Sequence, residues 1–183
     1  AEGGGLFECA GPIHNNVITG NRAGTQGGGL YACTKAIYNN TIVGNRAGEA
    51  GGAIGQCPGA VYNNIIAFNE APDGAGLHGG AANTYNAFYS NAGGNFGGGA
   101  ASGPGDMAID PKFASNGHWE TGDASTDDDD SWVDGDYHLR SQAGRWDADN
   151  RQWATDSDTS RCIDAGDPTS DWAAELWPHG GRI

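Results

Sequence analysis

Residues 27–45 read GGGLYACTKAIYNNTIVGN, between GGGLFECAGPIHNNVITGN (3–21) and GGAIGQCPGAVYNNIIAFN (51–69). Aligned on cysteine, Cys9, Cys33 and Cys57 fall 24 apart, as do Asn16, Asn40 and Asn64, and Asn21, Asn45 and Asn69. The apolar columns Leu6/Leu30/Ile54, Ile13/Ile37/Val61 and Ile18/Ile42/Ile66 keep the same step. A shorter fourth copy, GAGLHGGAANTYNAFYSN (74–91), places Asn86 and Asn91 22 residues after Asn64 and Asn69. Copies in register at one period mark a repeat architecture.

The segments between glycines are short and rich in Ile, Val, Thr, Tyr and Phe, with no sustained 3.6-residue period, so they read as strands. Two or three short strands per repeat describe an all-β, right-handed parallel β-helix with coils of 24 residues over 1–113. Residues 114–183 form an irregular acidic region, with final strands expected near 136–140 and 161–165. Coils in such a solenoid stack about 4.8 Å apart, so each column rests on its own copies. Leu6/Leu30/Ile54 and Ile18/Ile42/Ile66/Phe88 are expected to fill the bore. The Asn columns are expected at corners, bonding the coils above and below and tolerating left-handed backbone. Glycine runs make the tightest bends. An outer column of Arg22, Arg46 and Glu70 is read as an exposed, weakly contributing ion-pair row.

Composition divides the chain. Net charge is −14, and only five of the 23 acidic residues precede residue 106. All six tryptophans lie between 119 and 177. Such acidity with two lysines disfavours nucleic acid or anionic membranes as partners. No apolar run reaches the roughly 18–20 residues of a membrane-spanning helix. Together these features point to a secreted or surface location.

The repeat GGGLY-C-I-NNTI-GN resembles that of right-handed parallel β-helix repeat proteins of bacterial cell surfaces and secretomes. The resemblance covers about 1–91 and continues through AIDPKF (108–113), DGDYHLRSQAGRWD (134–147) and SRCIDAGDP (160–168). It implies that these later segments close the solenoid with its last coils. It also implies adhesin-like or surface-layer roles rather than a particular activity.

Several groups are candidates for chemistry. Cys9, Cys33 and Cys57 match no zinc spacing, and a column of small buried thiols is the preferred reading. Cys162 is placed as an extension of that column, with Cys57–Cys162 the pair to consider for oxidation. The run GDASTDDDDSWVDGD (122–136) offers Asp127, Asp128, Asp129, Asp130, Asp134 and Asp136 as hard oxygen ligands for calcium, against a simpler reading as a solvated loop. No paired-acid or Ser-His-Asp pattern appears, so the chain is not read as an enzyme. His14 heads a column continued by Tyr38 and Tyr62 and is read as part of an aromatic surface stack. Asn39-Asn40-Thr41 has the form of a glycosylation triplet, with Asn39 expected at a corner. The tryptophans are read as packing against the scaffold, ahead of a sugar-binding platform.

An uncapped solenoid end is a row of unpaired backbone groups, and the first coil begins at Gly3 with no room for a cap. Two expectations follow. Copies stack head to tail into a filament, or the remaining coils of a longer chain, such as a larger adhesin, cover the ends. The functional expectation is an extracellular structural protein. A carbohydrate-binding or polysaccharide-cleaving β-helix using the Trp/Asp-rich half is the alternative, with glycans as partners.

Overall fold

The computed structural model describes residues 1–80, 82–122 and 129–170, and no α-helix occurs among them. The chain winds through four short strands in the first coil: β1 (Leu6–Phe7), β2 (Ile13–His14), β3 (Val17–Thr19) and β4 (Arg22–Ala23). The second coil repeats them as β5 (Leu30–Tyr31), β6 (Ile37–Tyr38), β7 (Thr41–Val43) and β8 (Arg46–Ala47). The third contributes β9 (Ile54–Gly55), β10 (Val61–Tyr62) and β11 (Ile65–Ala67). The fourth has β12 (Leu77–His78), β13 (Asn83–Thr84) and β14 (Ala87–Tyr89), followed by β15 (Phe96–Gly97) and β16 (Met107–Ala108). These stack as three parallel sheets, β1-β5-β9-β12-β15, β2-β6-β10-β13 and β3-β7-β11-β14-β16, with β4-β8 on a fourth side. The architecture is a parallel β-solenoid of about four coils.

The sequence period is the register of the sheets. Leu6 pairs with Leu30 and then Ile54, Ile13 with Ile37 and Val61, and Ile18 with Ile42 and Ile66. These side chains, with Leu77 and Phe88, form one continuous buried core. Parallel sheets tolerate this because each strand's inward residue meets its own copy, so a step of one period preserves every contact. Ala23, Ala47, Ala71 and Ala75 make a thinner second cluster at the fourth side.

Left-handed backbone falls on the residue before each Asn of the first ladder: Asn15, Asn39, Asn63 and then Tyr85 have φ of 57, 54, 55 and 55°. The ladder asparagines beside them point inward instead. Asn tolerates this conformation because its short side chain bonds locally. Gly27 turns the second coil at φ 68°, and a Cβ on Gly28 would strike the backbone of the next coil.

The acidic half departs from expectation. Among the described residues it adds no coils beyond β16. Instead it forms two antiparallel hairpins, β17 (His118–Glu120) with β18 (Ser131–Val133), and β19 (Arg145–Asp147) with β20 (Gln152–Ala154). Residues 136–140 contribute one antiparallel bridge, Leu139 to Phe113, and 161–164 are a turn, not a strand. The large apolar residues give way at β16, where Ala108 stacks on Phe88. Cross-strand pairs of tryptophan, Trp119–Trp132 and Trp146–Trp153, organise the hairpins.

The first hairpin is seated on the side wall by two glycines. Gly20 and Gly44 are left-handed corners over which the Trp132 indole lies, and a Cβ at Gly20 would stand 2.6 Å from Trp132 Cβ. In the third coil the corner is Phe68, which packs edge-on against Tyr89 at 5.5 Å. The outer arginine column is not a free exposed row. Arg46 donates to Glu70 at 2.7 Å and Asp130 at 2.6 Å and lies 4.5 Å from the Trp119 ring centroid.

Candidate functional site

The asparagine columns are hydrogen-bonded ladders with a direction. Asn64 is representative: its Oδ1 accepts from the backbone N–H and the Nδ2 of Asn40, both at 3.0 Å. Its Nδ2 donates to the carbonyls of Ile37 and Tyr62 and to Asn86 Oδ1, at 2.9, 2.9 and 3.0 Å. The second column repeats the arrangement through Asn21, Asn45, Asn69 and Asn91. The amide–amide bonds run one way, each Asn donating to the Oδ1 of the next coil's Asn, while its Nδ2 also donates to a carbonyl of the coil before. Buried amides of this kind persist because each polar atom finds a partner.

A directional ladder has two unlike ends. At the C-terminal end the first ladder finishes on Asp106, whose Oδ1 accepts from Asn86 N and Nδ2 at 2.8 and 3.0 Å, while Oδ2 accepts from Gly103 N at 2.8 Å. A carboxylate suits this place because it accepts on both oxygens and leaves no N–H to satisfy. The second ladder finishes on Asn95, whose Oδ1 accepts from Asn91 Nδ2 at 2.9 Å. A further partial turn stacks here, β15 on β12 and β16 on β14, with Gly103 N–H bonded to Asn83 Oδ1 and Tyr85 N–H to the Pro104 carbonyl, and Phe96 4.6 Å from Phe88.

At the N-terminal end nothing comparable occurs. Asn16 and Asn21 donate into the ladder and to the carbonyls of His14 and Thr19. Among the described residues no group donates to Oδ1 of either. The three main sheets end on β1, β2 and β3 in this coil, as they end on β15, β13 and β16 on the other side. Val17 is 61% and Phe7 47% exposed, and the aromatic columns finish in Phe7 over Tyr31 at 5.9 Å and His14 over Tyr38 at 4.8 Å. Ile13 and Ile18 are nevertheless buried, and Leu6 partly so. The open face is therefore mainly polar backbone and two acceptor oxygens, rather than a raw apolar core. Such edges are templates for another strand.

The thiols of Cys33 and Cys57 are buried and Cys9 is partly exposed at the open end, all three reduced. The column is thus small thiols beside the apolar ladders. The side-chain hydrogen bond with Cys33 and then burial push the Cys57 thiol up. The side-chain hydrogen bond with Cys57, with help from Cys9, brings the Cys33 thiol down. Cys162 does not extend this column and does not pair with Cys57. It is free and lines a small cavity with Asn63, Ile65 and Met107, on another side of the solenoid.

The described aspartates of the acidic run turn to different partners. Asp130 is held by Arg46, Asp134 accepts from Trp132 Nε1 at 3.1 Å and Tyr137 Oη at 3.2 Å, and Asp136 faces His138 at 2.6 Å and Arg145 at 3.1 Å. Asp129 packs beside Gly122. Asp127 and Asp128 lie outside the described residues. Among the described residues no group of three or more His, Cys, Asp or Glu is placed to hold a metal. Asp134, Asp136, Tyr137, His138 and Asp149 do line an open cleft of ≈ 610 Å3 against Val17 and Thr41 of the side wall. Trp119 and Trp132 pack at 5.6 Å, as the packing reading expects, whereas Trp146 and Trp153 stand exposed on the second hairpin.

Sequence reasoning located the ladder residues but missed their terminators. Asp106 stands 20 residues after Asn86 and Asn95 four after Asn91, so neither keeps the period. No protein-family model, curated protein or solved structure matches the chain. Among the described residues no helix is long and apolar enough to cross a membrane.

Proposed function

We propose that this is a non-catalytic structural β-solenoid of the extracellular or cell-surface kind, whose working parts are its stacked ladders rather than a reactive centre. The observation that carries this reading is the pair of asparagine ladders, which cross-link the coils through amide–amide hydrogen bonds buried along the solenoid. The acidic composition, the two lysines and the repeat's likeness to bacterial surface β-helices support the location.

Amide hydrogen exchange tests the scaffold. Protection is expected to be highest through the second and third coils, whose amides bond to coils on both sides. Fast exchange throughout those coils refutes a rigid structural scaffold.

A second reading is favoured by one observation, the exposed pair Trp146 and Trp153 (67% exposed) beside an acidic cleft. In it the C-terminal half binds a carbohydrate by stacking on the indoles. A glycan array with and without calcium separates the two readings. Specific binding abolished by Trp153→Ala supports the second.

A further inference from the structure

We propose that the cysteine column is a binding site for a soft, monovalent d10 metal ion of the copper(I) class, held in linear two-coordinate geometry between Cys33 and Cys57. The proposal goes beyond the scaffold reading and does not rest on it. Its ground is a corner shaped as the asparagine corners are, but filled with thiols. Cys9, Cys33 and Cys57 each follow a left-handed residue, Glu8, Ala32 and Gln56, as Asn16, Asn40 and Asn64 follow Asn15, Asn39 and Asn63. Asn40 Nδ2 donates to the carbonyl two residues back, Tyr38, and to the Ile13 carbonyl of the coil before, both at 2.9 Å. Cys33 Sγ meets the equivalent carbonyls, Tyr31 at 3.5 Å and Leu6 at 4.0 Å. The Cys33 N–H donates to Cys57 Sγ at 3.2 Å, as the Asn40 N–H donates to Asn64 Oδ1 at 3.0 Å. Three successive coils thus place a thiol, a weak donor and acceptor, where an amide makes stronger bonds. Hydrogen bonding does not account for that choice, and the affinity of sulfur for a soft ion does.

The coil spacing selects the ion. Parallel coils repeat at about 4.8 Å, so two equivalent sulfurs lie about one step apart. A linear sulfur–metal–sulfur unit with bonds of about 2.3 Å spans about 4.6 Å. A disulfide instead needs Cβ atoms about 3.8 Å apart, so the coils would have to close by about 1 Å. Backbone bonds on either side of the column resist that, Ala32 N–H to the Gly55 carbonyl at 3.1 Å and Thr34 N–H to the Cys9 carbonyl at 3.0 Å. Tetrahedral zinc needs four ligands, and among the described residues no third donor converges on the pair. The fourth coil has Gly80 at the column position, two residues after His78 as Cys57 is two after Gly55. Cys33 and Cys57 are 0 and 2% exposed, so the pair is closed to water and to competing ligands. Loading exchanges the two thiol protons for one ion, with no change of oxidation state. One negative charge remains, and the Cys33 N–H already points at the sulfur of Cys57 to share it.

The test refolds the full chain from guanidinium under argon with copper(I), because the pair is buried, and then challenges it with a chromophoric copper(I) chelator. One ion per chain is expected to survive the challenge, and X-ray absorption should show two sulfur neighbours with no nitrogen or oxygen. Cys33→Asn and Cys57→Asn bring the amide pattern to this corner, so the solenoid dichroism is expected to persist in each. Retention of copper should fall in both by more than about a hundredfold, the upper range for losing merely an outer partner of a metal site. Cys9→Asn and Cys162→Ser should keep the ion. No ion retained by the unsubstituted chain overturns the proposal, as does retention in both inner variants, a third sulfur, or nitrogen or oxygen in the coordination shell. Loss in Cys9→Asn but not in Cys57→Asn overturns the assignment to the inner pair. A Cys33–Cys57 disulfide formed with glutathione disulfide, by a chain that holds no copper when reduced, makes the column a redox pair and overturns the metal site. Where an Asn variant fails to fold, the coordination shell of the unsubstituted chain decides.

Discussion

Replacing Asn64 by Ala probes the ladder where it is most enclosed, because this residue is only 1% exposed. The substitution removes the acceptor for Asn40 N–H and Nδ2, and the donor to the Ile37 and Tyr62 carbonyls and to Asn86 Oδ1. Asn40 N–H is then left buried without an acceptor. A buried group stranded in this way costs about 1–3 kcal/mol, and each further bond lost about 1 kcal/mol, so about 3–5 kcal/mol is expected in all. Asn16→Ala removes only donors, at an exposed end where water replaces them, and is expected to cost under about 1 kcal/mol. Urea unfolding followed by far-UV circular dichroism reports the solenoid rather than the tryptophan-bearing hairpins and gives both values from midpoint and slope. Equal costs at the two positions refute the directional ladder. So does a cost below about 1 kcal/mol at Asn64, which would mean that water or relaxation satisfies the amide.

Four further outcomes follow from the same geometry. Asp106→Asn keeps an acceptor for Asn86 but sets an amide NH2 against Gly103 N–H, and urea melts should show a loss of about 1–2 kcal/mol. Gly44→Ala places a Cβ at φ 66° beneath the Trp132 ring; the expected result is a red-shifted tryptophan emission as the first hairpin lifts, with the solenoid dichroism retained. Native alkylation should modify Cys9 and Cys162 and spare the buried Cys33 and Cys57, with all four reacting in guanidinium, as counted by intact mass. The hydrogen bond from Lys112, at 2.7 Å, holds Asp158 below the usual carboxylate range. The folded value lies below the unfolded one, so this contribution is present above about pH 4 and is lost as pH falls through the folded value. Lys112→Met should return the Asp158 midpoint, read by carboxyl NMR, toward its ordinary value.

The coil was legible because its signal is redundant. Leu30, Ile37, Ile42 and Asn40 each recur at the step at which neighbouring coils meet, so period, register and core are one observation. The acidic half has no such redundancy. Its tryptophans pair across hairpins whose partners lie 13 and 7 residues apart, and no period announces them. Arg46 illustrates the consequence. In sequence it is one member of a charged column, yet Asp130, 84 residues away, and Trp119 enclose it. The aspartate run looked like a ligand set because the residues are neighbours in the chain. In the fold Asp130 and Asp136 turn to different arginines.

The sequence alone determined that this chain is a solenoid, which residues fill its bore and which amides cross-link its coils, because stacking identical coils turns a chain period into a spatial one. Only the tertiary structure decided how the ladders finish. Asp106 and Asn95 stand off the period, so their places after Asn86 and Asn91 come from hydrogen bonds made in space.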